Sequence, residues 1–78
     1  MNQNTFSRVK NVVQSVFADH EGEILPNFSS RDITGWDSLG HINFVIALES
    51  EFGVRLRPAK LARLADLEQI VVHIDSNL

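Results

Sequence analysis

The sequence predicts an all-α fold, a small bundle of three or four helices. Three observations lead there. Apolar residues recur at helical spacing in separate stretches. Capping or breaking residues bound those stretches. No pair of alternating segments remains to build a sheet: "VRLR" alternates over four residues without a partner, and "IVVHI" lies inside a longer helical period.

The first helix is expected from about residue 5 to 18. Phe6, Val9, Val13, Val16 and Phe17 share one face, Val12 widens the stripe, and Arg8, Lys10, Asn11 and Gln14 take the other side. Asn4 or Thr5 is a suitable cap. From Asp19 to Gly35 the periodicity stops, and Gly22, Pro26 and the Ser29-Ser30 pair are turn signals. A connection of this length is usually functional or held by its own apolar residues. Ile24, Leu25, Phe28 and Ile33 are the candidate anchors of an ordered loop across one end of the bundle.

A second helix is expected from Ser38 to Phe52, with Leu39, Ile42, Val45, Ile46, Leu48 and Phe52 as its main apolar residues. Gly53 suits a left-handed C-cap, and Val54 and Leu56 return the chain to the core. Pro58 opens a short helix of one or two turns across 58–64, since its missing N–H costs nothing at a first position. Asp66 caps a last helix whose Leu67, Ile70, Val71 and Ile74 fall at i, i+3, i+4 and i+7.

Length and composition narrow the function. A chain of 78 residues predicts one domain, here 1–78. Such a domain hides only about 60% of the surface its unfolded form exposes, which leaves no room for a deep catalytic pocket. The apolar content of 44% and the net charge of −3 disfavour disorder. No apolar run approaches the length of a membrane span, and the N-terminus lacks the apolar core of a signal peptide, so the expected location is cytoplasmic. There is no cysteine, so disulfides, cysteine nucleophiles and thiolate metal sites are excluded, and three scattered histidines give poor support to any metal site.

The segment "GWDSL", Gly35 to Leu39, admits three readings. Asp and Ser both favour helix N-caps, so it can be a helix start and nothing more. Ser38 can be a nucleophile with His41 as its base, three residues on and on the neighbouring turn. Against this, Asp37 does not face His41, the G-x-S-x-G elbow is missing, and little surrounds the site to exclude water. Finally, Ser38 can be an attachment point. A helix N-terminus offers free N–H groups and positive dipole, which suit a phosphodiester.

"GWDSL" followed by "INFVIALESEFGVRL" resembles the acyl carrier protein family, the phosphopantetheine-bearing carrier domains. The resemblance covers nearly the whole chain, through "LADLEQIVVHI". It implies a four-helix bundle of acyl-carrier type, with a long loop between helices 1 and 2 and a short third helix. It implies no catalytic residue and no metal. Ser38 would carry 4′-phosphopantetheine, placed there by a phosphopantetheinyl transferase from coenzyme A, and the arm's thiol would carry an acyl group as a thioester. Acyl- or aminoacyl-loading and tailoring enzymes would be the partners. The family pattern places Asp37, Leu39, Ile42, Ile46 and Glu49 in contact with them. Residues Val45 and Ile46 can equally be plain core, whereas Leu39 at the open first turn suits an exposed contact. Trp36 is better suited to packing on the helix start than to substrate.

Charge departs from the family. Many carriers of bacterial fatty acid synthesis have a strongly acidic second helix, but residues 38–54 hold only Glu49 and Glu51. Gly40, His41 and Asn43 stand in a stretch that is often acidic. Arg55, Arg57, Lys60 and Arg63 then fall within nine residues that contain no acid. Such a cluster would weaken docking to a basic patch and points to a dedicated lipid or secondary-metabolite pathway, although a solvated face explains it equally. Nucleic-acid binding is disfavoured by a sequence pI of 5.4 and the lack of an aromatic platform beside the cluster. The expected protein is a monomeric carrier that does not insert into membranes. The alternatives are an aminoacyl or peptidyl carrier, or a small helical interaction module without a prosthetic group.

Overall fold

The computed structural model describes residues 1–78. It contains four helices and no strand: α1 over Gln3–Val16, α2 over Ser38–Phe52, α3 over Pro58–Ala62 and α4 over Leu67–Asp75. This is the all-helical bundle with a long first connection and a short third helix that the sequence predicts. None of the helices is long and apolar enough to cross a membrane.

Helix α1 lies two residues earlier than its apolar spacing suggests. Asn2 caps it, not Asn4 or Thr5: the N–H groups of Asn4 and Thr5 donate to Asn2 Oδ1 at 2.9 and 3.1 Å. Thr5 is buried instead, and its hydroxyl donates to Asp75 Oδ1 at 2.6 Å. That bond ties the start of α1 to the end of α4. A cap reads the same in sequence at several neighbouring polar positions, and only the tertiary partner of Thr5 distinguishes them.

Helix α1 packs against α2 and α4, and α2 against α3. Val9, Val13, Phe44, Leu48, Val71 and Ile74 have no accessible surface. Each such side chain contributes about 1.5–3 kcal/mol by leaving water. Arg8 adds a polar clamp from α1 to the last turn of α2. Its Nε lies 2.8 Å from Glu51 Oε2, its Nη2 donates to the Glu51 carbonyl at 2.7 Å, and its guanidinium sits 4.3 Å from the centre of the Phe52 ring. Gly53 ends α2 in the left-handed conformation, φ 64°, with its N–H bonded to the Glu49 carbonyl.

The long connection is held at both ends of its path. Ile24 and Ile33 are buried and Phe28 is half-buried, but Leu25 faces solvent and does not anchor the loop. The carbonyls of Phe28 and Pro26 accept from Leu67 N–H and Glu68 N–H, each at 2.9 Å. These are amides that the first turn of a helix leaves without an intrahelical partner. Asp66 Oδ1 takes the next, Gln69 N–H, at 3.0 Å. The loop therefore completes α4, and α4 fixes the loop.

Two isoleucines, one of α2 and one of α4, differ in burial, with Ile70 at 2% exposure and Ile46 at 58%. Ile70→Val is expected to cost about 0.5–1.5 kcal/mol in urea unfolding. Ile46→Val is expected to change stability by less than about 0.5 kcal/mol. Equal costs would contradict the burial pattern.

Candidate functional site at the start of helix α2

Asp37 is extended, and its Oδ1 accepts from Gly40 N–H at 2.8 Å while its carbonyl accepts from His41 N–H at 2.8 Å. Asp37 is thus the cap. Ser38 is the first helical residue and is exposed. The N–H groups of Ser38 and Leu39 have no intrachain acceptor. Capping and presentation of the hydroxyl fall to adjacent residues and do not compete.

Trp36 holds this turn against the bundle. Its ring stacks on Phe17 with centroids 5.4 Å apart and meets Phe44 edge-on at 4.8 Å. Its indole N–H donates to His41 Nδ1 at 3.0 Å. The other ring nitrogen of His41, Nε2, lies 2.8 Å from the Pro58 carbonyl. Indole can only donate and a carbonyl can only accept, so the bridge uses the tautomer with the proton on Nε2. Both nitrogens are occupied, which leaves His41 no free nitrogen to act as a base for Ser38. The nucleophile reading therefore lacks its second member.

Gly40 has a structural reason to be glycine. A Cβ there would lie 2.4 Å from the Gly35 carbonyl oxygen and 2.9 Å from Phe17 Cε1. Gly35 itself has φ 89°, a conformation that favours glycine. The loop and the first turn of α2 thus meet backbone to backbone. Packing accounts for Gly40, and the bonds to Trp36 and Pro58 account for His41. A glycine inside a helical pattern was the available signal for Gly40. Nothing in the spacing indicated the His41 bridge, because Trp36 precedes the helix and Pro58 lies in another element.

An open cavity of about 620 Å³ adjoins Ser38, lined among others by Ser30, Arg31, His41, Leu61, Asp66 and Ile70. Outside it, Leu39, Ile42 and Ile46 form an apolar stripe along the solvent side of α2, at 70%, 42% and 58% exposure. Val45 belongs to the core, but Ile46 does not. Glu49 is half-buried, and its Oε2 accepts from Leu56 N–H at 2.8 Å. The five residues that the family pattern singles out therefore divide. Three are exposed apolar side chains, and the carboxylates of Asp37 and Glu49 are engaged within the chain.

Comparison with known proteins finds relatives over nearly the whole sequence. The chain is 32% identical over 73 residues to an acyl carrier protein of Thermotoga maritima, covering 94% of this chain and 90% of the relative. It is 30% identical over 73 residues to an acyl carrier protein of Zymomonas mobilis, covering 94% of each. No family model matches, and no solved structure does.

The division of roles at the turn has a stability signature. Asp37→Ala is expected to cost about 0.5–2 kcal/mol through loss of the cap. Gly40→Ala is expected to cost about 1–3 kcal/mol through the clash with Gly35. Ser38→Ala is expected to stay within about 0.5 kcal/mol of the parent. Urea unfolding of the three variants checks the order, and a Ser38→Ala cost equal to that of Asp37→Ala would return the cap to the serine.

Proposed function

Because the chain belongs to the acyl carrier protein family, we propose that it carries acyl groups as thioesters on a 4′-phosphopantetheine arm attached to Ser38. The single observation that carries this reading is the exposed Ser38 hydroxyl at the first position of a helix whose cap is supplied by its neighbour. The residues present fit a phosphodiester there. Two unpaired N–H groups and the positive end of the α2 dipole favour an anion, and the open cavity beside Ser38 gives it room. When bound, the arm supplies the thiol that this cysteine-free chain lacks.

The chain's own residues have simpler tasks. Asp37 and Trp36 hold the first turn, on which Ser38 is exposed. Leu39, Ile42 and Ile46 offer apolar surface next to it for the transferase and the loading and tailoring enzymes. Phe44, Leu48, Leu61 and Ile70 of the bundle interior are at most 2% exposed. The space beside Ser38 is open and partly polar, with Ser30, Arg31 and Asp66 along it. That lining favours a short or polar cargo over a long alkyl chain, and it is the observation that keeps an aminoacyl carrier as a second reading. The unusual charge of residues 55–63 supports service in a specialised lipid or secondary-metabolite pathway.

Intact mass after incubation with coenzyme A and a broad-specificity phosphopantetheinyl transferase tests the proposal. A gain of one phosphopantetheinyl group is expected, absent in Ser38→Ala and retained in His41→Ala. No gain in the parent protein would favour a helical interaction module without a prosthetic group. Mass analysis of the protein from its native cells separates acyl from aminoacyl loading.

A further inference from the structure

The charge of this protein is segregated. Arg55, Arg57, Lys60 and Arg63 put +4 between Glu51 and Asp66, a stretch with no acid. Three of the seven basic residues and all ten acidic ones lie elsewhere, so the rest of the chain carries −7.

Local structure exposes all four cations. After Gly53 the chain is extended, with Leu56 buried and Arg55 and Arg57 exposed on either side of it. The Glu49 carboxylate holds Leu56 N–H and so fixes that alternation. Helix α3 then turns Leu61 inward and leaves Lys60 and Arg63 outward. Arg57, Lys60 and Arg63 border one shallow depression. None of the four makes an ion pair, since the ion pair of the molecule joins Arg8 to Glu51. Unpaired cations at this density repel one another and gain nothing from the fold.

Helix α3, which carries part of the cluster, adjoins the turn that bears the serine. The Pro58 carbonyl is bonded to His41 of α2, and Leu61 lines the cavity that Ser38 opens on. An enzyme that reaches a group on Ser38 across the exposed stripe of Leu39, Ile42 and Ile46 also meets α3. We infer that Arg55, Arg57, Lys60 and Arg63 form a docking face for an acidic surface on the enzymes that act on the group at Ser38. The inference rests on the carrier reading and adds the sign of the partner's charge. The apolar stripe supplies the dry centre of that interface and the cations its polar rim. A membrane surface fits less well. Cationic faces that bind lipid carry exposed apolar side chains among the cations, and residues 54–65 expose no large one.

The test uses one broad-specificity transferase in two forms, with the rim of its coenzyme A site rebuilt in Asp and Glu or in Lys and Arg. The readout is kcat/KM for modification of Ser38, followed by intact mass. The acidic-rim form is expected to be preferred by about tenfold at low salt. The preference is expected to collapse at about 0.5 M salt, where screening is strong. It is expected to disappear when all four residues are changed to Gln, and to invert when all four are changed to Glu. The Gln protein keeps most of each side-chain stem and guards against misfolding of the Glu protein, with circular dichroism checking both. Equal rates with the two rims, or a preference unchanged by the substitutions, overturn the docking inference and leave the carrier reading intact. No mass gain with either form overturns the carrier reading and the inference with it. Co-sedimentation with phosphatidylserine-rich vesicles that depends on the same four residues reassigns the face to a membrane and also overturns it.

Discussion

Trp36 stacks on Phe17 of the loop following α1, meets Phe44 of α2 edge-on, and donates its N–H to the histidine that also holds the Pro58 carbonyl of α3. The position of α2 relative to its neighbours, and hence the direction of Ser38, depends on this one contact set. The loop approaches α2 so closely that only glycine fits at position 40. Close approach in turn makes the aromatic stack possible. A short bundle has little buried area to fix the entry angle of a helix, and here a single indole with three packing partners does it. The polar part of the arrangement gives both nitrogens of His41 a role, Nδ1 as acceptor and Nε2 as donor.

Helix α2 is apolar on two sides for two different reasons. Phe44, Val45, Leu48 and Phe52 are core, while Leu39, Ile42 and Ile46 face water. Exposed apolar residues in a row cost nothing to folding but mark a surface that associates. In a protein of this size the same helix must build the bundle, start at the serine and present the stripe. The amphipathic faces of α1 and α4 leave it free to do so, since each buries its own apolar stripe against α2 or against the other.

This double duty decides what was legible in the sequence. The boundaries of α2 and the caps Asp37, Gly53 and Asp66 were readable because each is a local event with a specific residue preference. Helix α4 was readable because only one of its faces is apolar. Ile46 was not readable, since a helix apolar all round carries no periodic signal for which side is core. Leu25 looked like a loop anchor by composition, yet loop burial depends on path, which composition does not contain. The start of α1 was displaced because Thr5 found a distant partner in Asp75. At the site, the cap and the serine were legible from "WDSL", whereas the Trp36–His41–Pro58 bridge joins a loop and two helices and left no spacing to detect.

The carboxylates at the site each have a structural bond of their own. Glu49 is engaged with Leu56 N–H, and that bond shapes the turn from α2 into the extended stretch before α3. Helix α3 has five residues and no side-chain cap. An isolated helix that short does not form in water, so its position depends on Leu56 and Leu61 in the core and on the bonds from Glu49 and His41. Drawing Glu49 outward to meet a partner's cation would leave a part-buried N–H unpaired, at a cost of about 1–3 kcal/mol. The apolar stripe carries no such cost, because Leu39, Ile42 and Ile46 already face solvent. On this chain one oxygen of Glu49 is committed to the fold, whereas Leu39, Ile42 and Ile46 face solvent with no bond to give up.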